Sequence, residues 1–378
     1  MANFFISDIY LSVMPIIEKS IYANHHQMQS TIALFFLTSC IASLIAGTTS
    51  DKYGRRLVLL TSLTMSLIGS ITLSISTNFS LFSTGIIFQG IGSVGGMMLA
   101  RSIIKDIFPN ESQLRRKYAL FSLIVAIAPA VSPMCGSFLT LHFGWRSMFI
   151  AQIALYITLI SICIFSFKET AKELHNVSII KLATKSYLQV IKNYRFITLN
   201  IISAIIFGGY ICFLTISPYV LHIQLRLTET QVSYVLFMLV IGSLGSRFCN
   251  TILSKHLEIK TIISFGLGFI LLSGLLYWLA VILSLNLIFI ILGGIIYVFG
   301  FGLLASNITT LALSEAKKHT GVASSIYGTI QVAGGALLSF LVSLTTQKIQ
   351  FLIFSICISI IIILSISLYF LYEKYKLQ

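Results

Sequence analysis

Residues 57–100 and 261–314 hold no Asp, Glu, Lys or Arg, runs of 44 and 54 residues. No soluble domain leaves so long a stretch of backbone without a charged side chain to face water. A helix needs about 20 apolar residues to cross the roughly 30 Å hydrocarbon core of a bilayer. Each run therefore accommodates two crossings and a short turn, with Asn78 and Asn286 marking the turns. The apolar runs are continuous and do not alternate with period two. That pattern favours helices over barrel strands. Composition agrees: 57% of the chain is hydrophobic and only 10% charged, against about 25% charged in soluble domains.

Reading the remaining charge gaps in the same way predicts twelve spans. They lie at 2–17, 31–50, 57–76, 81–101, 118–141, 147–167, 196–220, 230–250, 261–283, 287–308, 321–344 and 349–372. The expectation is an all-α integral membrane protein of two pseudo-symmetric six-helix bundles, 1–168 and 196–378, joined by a cytoplasmic linker at 169–195. Lys172, Lys181, Lys185, Lys192 and Arg195 make that linker basic. Its apolar residues, including Ile179, Leu182 and Leu188, suit either a surface-lying helix or a plain tether.

The net charge of +14 comes from 25 Lys and Arg against 11 Asp and Glu. In a soluble chain this excess would suggest nucleic acid. With twelve spans, 21 of the 25 basic residues fall on the side that carries both termini and 4 on the other. Such asymmetry orients membrane proteins, so both termini are expected in the cytoplasm and no nucleic-acid partner is called for. The six cysteines lie in apolar spans, which gives no disulfide framework. No metal-ligand spacing or P-loop occurs, and no cofactor or metal is expected. Gly90, Gly92 and Gly95 fit G-x-G-x-x-G, but inside an apolar span rather than between a strand and a helix. Close helix packing, through Gly92 and Gly96 in particular, explains them better.

One acid falls within a predicted span. A charge at the centre of a membrane helix costs about 2.5–3.5 kcal/mol on insertion scales. Asp8 is therefore a candidate proton carrier; the bland alternative is a residue near the interface of a short first helix. No second acid, histidine or nucleophile–base pair accompanies it, which argues against an enzyme.

Gly47-Thr-Thr-Ser-Asp51-Lys-Tyr-Gly54-Arg55-Arg56, between the second and third spans, resembles the G-x-x-x-D-R-x-G-R-R signature of the major facilitator superfamily. Further segments resemble its bicyclomycin-resistance (Bcr/CflA) branch of drug–proton antiporters. They are Asp8-Ile-Tyr10-Leu11 with Pro15 in the first span, Gln89-Gly90-Ile-Gly92 in the fourth, and Arg101 to Phe108 at its exit. Pro129, Pro133 and Gly136 look like the antiporter motif of the fifth, followed by Gly144-Trp145-Arg146. Gly321-Val-Ala323-Ser324-Ser325 and Gln331 are similar to the start of the eleventh.

The resemblance covers essentially the whole chain. It implies a monomeric bacterial inner-membrane exporter that works by alternating access, its cavity between the halves near the midplane. Small amphipathic drugs would leave in exchange for protons. Asp8, Tyr10, Gln89, Asn307 and Gln331 are the candidates for coupling and the cavity, and Phe35, Phe36, Tyr210, Phe213 and Tyr327 for an apolar lining. For Asn307 and Gln331, hydrogen bonding between helices is an equally good reading. Gly47, Asp51, Gly54, Arg55, Arg56 and Asp106 are candidates for a cytoplasmic gate. In it Arg55 and Arg56 pair with Asp106, and Asp51 faces the positive N-terminal end of the eleventh helix. Their alternative role is as ordinary positive-inside anchors. Pro129, Pro133 and Gly136 imply either a contact between the halves or a passive kink.

Two departures from the family pattern bear on function. Only seven residues precede Asp8, so that either the start codon is placed too late or the first helix is truncated, and Ile86 stands where the family carries an arginine associated with proton coupling. An exporter of a metabolite such as an amino acid or peptide, or a decayed non-transporting membrane protein, remain as alternative readings.

Overall fold

A computed structural model of the chain describes residues 9–93, 99–100, 103–104, 106–108, 113, 117, 131–170, 190–283, 286–315, 320–344 and 369. Its contacts divide the chain into two units, Met1–Leu182 and Ala183–Gln378. In unit 1 a single 3-10 turn, Leu11–Val13, leads into α1 (Met14–Ser20). There follow α2 (His25–Tyr53), α3 (Arg55–Ser74), α4 (Phe79–Gly92), α5 (residues 131–143) and α6 (Arg146–Ser166). Unit 2 contains α7 (Tyr194–Tyr219), α8 (Glu229–Leu253), α9 (Ile259–Ile282), α10 (Leu287–Glu315) and α11 (Thr320–Ser343).

Among the described residues eight helices are long and apolar enough to cross a membrane, and Phe79–Gly92 is a shorter apolar helix. The expected span at 349–372 lies outside the described residues except for Tyr369, as does the first part of that at 118–141. Several helices overrun the segments expected of them: α2 begins at His25 rather than 31, and α10 continues to Glu315 rather than 308. At its start α2 is carried back to His25 by the Asn24 cap, which satisfies one of its first N–H groups.

The caps also show an internal repeat. Asn24 and Gln27 form a reciprocal capping box at the start of α2, and Thr228 and Gln231 form one at the start of α8, six helices later. Asn78 accepts from Leu81 N–H at 2.9 Å to open α4; Asn286 accepts from Ile288 N–H at 3.0 Å ahead of α10. Such caps contribute about 1 kcal/mol each.

Packing repeats at the same offset. Helix α4 packs on α2 and α3, and α10 packs on α8 and α9. Within lipid there is no hydrophobic drive to bring helices together, so small residues allow the close approach that dispersion needs. A Cβ on Gly69 of α3 would come within 2.8 Å of the Gly85 carbonyl of α4. In unit 2, a Cβ on Gly300 of α10 would come within 2.9 Å of the Gly266 carbonyl of α9. Gly92 belongs to the same seam as Gly69, lying against the Ser62 carbonyl and the Ser66 side chain of α3.

Candidate functional site

At the end of unit 1 where α2 meets α3, Gly54 adopts φ +92, a conformation L-residues rarely take. A Cβ there would also lie 2.8 Å from the carboxyl carbon of Glu169. Glu169 occupies that space and caps α3, accepting from Arg55 N–H at 2.8 Å and Arg56 N–H at 3.0 Å. A carboxylate at a helix N-terminus is favoured by both the free N–H groups and the helix dipole.

Arg55 Nε donates to Asp106 Oδ2 at 3.3 Å, and its Nη1 reaches Ser50 Oγ. Arg56 does not join Asp106. Its Nη2 donates instead to the Ile164 carbonyl at 2.7 Å, because successive residues at the start of a helix point about 100° apart. The expected Arg56–Asp106 pairing is thus corrected: one arginine binds the acid of α4's exit and the other the end of α6. Gly47 and Asp51 fall in the last two turns of α2; the placement of their side chains lies outside the described residues.

Asp8 and Pro129 also lie outside the described residues. Tyr10 is buried, its hydroxyl 3.3 Å from Thr31 Oγ1 and its ring edge-on to Phe82. Pro133 and Gly136 both meet the first segment of the chain. Ser12 Oγ donates to the Pro133 carbonyl at 3.2 Å, and Gly136 lies against the Ile9 carbonyl. These two motif residues therefore make contacts within unit 1.

Gln89 of α4 is the centre of a buried network. Its Nε2 donates to Gln152 Oε1 of α6 at 2.7 Å and lies 3.3 Å from Ser70 Oγ of α3. Ser70 Oγ in turn donates to the Ser66 carbonyl at 3.0 Å. Three helices are tied together by groups that hydrocarbon would otherwise leave unsatisfied. Ile86, one turn earlier on α4, is fully buried.

In unit 2, Gln331 of α11 donates to Ser203 Oγ of α7 at 3.0 Å, and Tyr327 donates to the same oxygen at 2.6 Å. Asn307 of α10 donates to Asn250 Oδ1 of α8 at 2.7 Å and to its own Leu303 carbonyl. Both Asn307 and Gln331 thus bond between helices. Of the aromatic candidates, Phe35 meets Phe36 edge-on, Tyr210 stacks on Phe301 and Phe213 packs on Tyr277.

The sequence reading missed Gln152, Ser70, Glu169, Ser203, Asn250 and Asn200. Asn200 is wholly buried on α7, and among the described residues neither end of its amide has a hydrogen-bond partner. For Asn200 the available signal was an isolated polar residue in an apolar span, which says nothing of its direction.

The pattern of the Major Facilitator Superfamily matches residues 1–339. A multidrug resistance protein MdtL of Shewanella sp. (strain ANA-3) is 23% identical over 339 residues, covering 87% of this chain and 83% of that protein. A bicyclomycin resistance protein homolog of Haemophilus influenzae is 22% identical over 337 residues, covering 89% and 84%. The crystal structure of a POT family transporter in complex with 5-aminolevulinic acid superposes with a TM-score of 0.78 at 13% identity, over 99% of this chain and 95% of that one.

Proposed function

The chain belongs to the major facilitator superfamily, and from that membership we propose that it exports small amphipathic drugs or toxic compounds across the bacterial inner membrane in exchange for protons. It is a multi-pass membrane transporter of small molecules. The observation that carries the efflux reading is the similarity, over 87% of the chain, to proteins named for multidrug resistance.

Asp8 is the proton carrier in this proposal. A carboxyl at membrane depth can take up and release a proton as its access to water changes. Tyr10, two residues on in the chain, is held by Thr31 and Phe82, and the Gln89 network ties α3, α4 and α6 together. Asn307 and Gln331 hold the helices of unit 2 in register through the bonds to Asn250 and Ser203. The cytoplasmic gate is the α2–α3 corner. Arg55 ties it to Asp106, Glu169 fixes the start of α3, and Asp51 supplies the charge that favours one conformation over the other. Both termini lie in the cytoplasm.

The test is expression in a host stripped of its own efflux pumps, followed by a pH-jump flux assay in proteoliposomes with a drug panel. Export predicts resistance, and drug flux that follows the imposed proton gradient. Asp8→Asn abolishes that flux while leaving the amount of inserted protein unchanged. Excretion of a metabolite without drug resistance overturns the drug reading; undiminished flux in Asp8→Asn overturns the role of Asp8.

A further inference from the structure

We propose that the α1–α2 and α7–α8 turns are acid-closed clasps. Protonation of His25 and His222 draws each imidazole onto the carboxylate seven residues away in the chain, Glu18 and Glu229, and fastens two helix ends in each unit. Helix α2 runs from the first of these turns to the α2–α3 corner, so the clasp of unit 1 stands at the end of α2 opposite the gate. That this end meets the outside solution rests on the orientation proposed above; the clasps rest on the geometry that follows.

The two turns repeat one another residue for residue. Glu18 is the third residue from the end of α1, and His222 the third from the end of a π turn, Val220–Gln224, that continues α7. Four residues follow in each case, 21–24 and 225–228. Tyr22 and Arg226, each second of the four, both take φ 53, in the left-handed region. The caps Asn24 and Thr228 close the turns, and His25 and Glu229 open α2 and α8. This reversal brings the distant pair together: His25 Nδ1 is 4.0 Å from Glu18 Oε2, and His222 Nε2 is 3.8 Å from Glu229 Oε1.

Only the order of the pair is exchanged, acid then histidine in unit 1 and histidine then acid in unit 2. In unit 2 each charge suits its helix, the cation near a C-terminus and the acid at an N-terminus. In unit 1 each charge opposes its helix. Helix dipoles therefore account for one turn and not the other. What the units share is an imidazole set against a carboxylate.

His222 shows what the pair is set to do. Its Nδ1 lies 2.7 Å from the Leu227 carbonyl, which can only accept, so Nδ1 carries a proton. In the neutral ring the lone pair of Nε2 then faces an anionic oxygen. A second proton turns that repulsion into attraction, and a closure of about 1 Å gives a charge-assisted hydrogen bond. Histidine is the side chain whose charge ordinarily changes between about pH 5 and 8. Glu229 of α8 faces His222; Glu18 of α1 and the His26 ring face His25. Lys19, Tyr22, His26 and Arg226, the other ionisable side chains of the two turns, are exposed.

Amide hydrogen exchange of the full chain in phosphatidylethanolamine/phosphatidylglycerol nanodiscs tests the clasps. Labelling at about pH 5.5 and about pH 7.5 spans the histidine range, with times scaled for the intrinsic exchange rate. Acid should slow exchange across residues 21–28 and 225–232 about two- to five-fold, what a partly exposed ion pair gives. Residues 75–79, a turn without ionisable side chains, should not change. Glu229→Gln abolishes the response at the α7–α8 turn and leaves that at the α1–α2 turn. The double exchange His222→Glu/Glu229→His keeps it, because unit 1 already carries that order.

Four results overturn the proposal: exchange in the turns that is the same at both pH values, equal slowing at residues 75–79, a response at the α7–α8 turn that survives Glu229→Gln, or its loss in the double exchange. The third means that the histidine acts without the acid, the fourth that position rather than pairing matters. Failure of drug efflux with the pH response intact refutes the export reading and leaves the clasps; efflux without the response refutes the clasps alone.

Discussion

The two units bury polar side chains in opposite styles. Unit 1 gathers its amides: Gln89 and Gln152 bond directly, and Ser70 backs both. Unit 2 disperses them. Asn307 pairs with Asn250 between α10 and α8, Gln331 and Tyr327 share Ser203 between α11 and α7, and Asn200 has no partner among the described residues. A bonded buried amide holds the conformation in which it is seen. An unbonded one weakens that conformation, so its polarity serves something other than static stability. Among the described residues Gln89 and Gln152 each bond through one end of the amide and leave the other unpaired, whereas Asn200 bonds through neither; by this measure unit 1 is fastened across α3, α4 and α6, while unit 2 retains a loose position on α7.

The sharpest way to break this contrast is Gln89→Leu. It leaves Gln152 Oε1 with only Ser70 and removes the direct Gln89–Gln152 bond, so unfolding should become easier by about 1–3 kcal/mol. Thermal denaturation of the purified protein in detergent measures it. The double variant Gln89→Leu/Gln152→Leu should recover part of the loss, since no buried amide is then stranded. A simple sum of the two single losses would show that the residues do not act as a pair.

Asn200→Leu should shift stability the other way, raising the melting temperature by an amount equivalent to about 1 kcal/mol, because it removes a buried polar group that is unpaired. A melting temperature that falls instead would mean that Asn200 is satisfied in the protein as it exists, and the contrast between the units would vanish. The opposite signs for two polar-to-leucine changes make the pair a stronger test than either alone.

How far these features were legible in the sequence depends on what fixes each one. The helices were legible because a bilayer forces length and apolarity on every crossing; α3, α6 and α9 lie almost where the charge gaps put them. Asn78 and Asn286 were legible as turn markers because capping is local chemistry. The networks were not. In a helix apolar on every side, no amphipathic stripe reveals which face is inward, so Gln152 looked like any other residue of α6. Glu169 was read as linker because its role depends on meeting Gly54, more than a hundred residues earlier in the chain. Arg55 and Arg56 were adjacent in the signature, and only the helix's rotation separates their partners.

The smallest expected effect is also the finest discriminator. Ser70→Ala and Ser203→Ala each delete one buried hydroxyl, but the consequences differ by topology. Without Ser70 the direct Gln89–Gln152 bond at 2.7 Å survives, so the cost should stay below about 0.6 kcal/mol, the average for interhelical hydrogen bonds in membranes. Without Ser203, both Tyr327 Oη and Gln331 Nε2 lose the oxygen they share, and the cost should approach about 1.7 kcal/mol, the upper end of the same range. Melting curves of the two variants side by side decide the matter. Equal shifts would mean that Ser203 is as dispensable as Ser70, and that α7 and α11 are held by the Thr215–Ser339 hydroxyl pair and the close approach of Gly208 and Gly334.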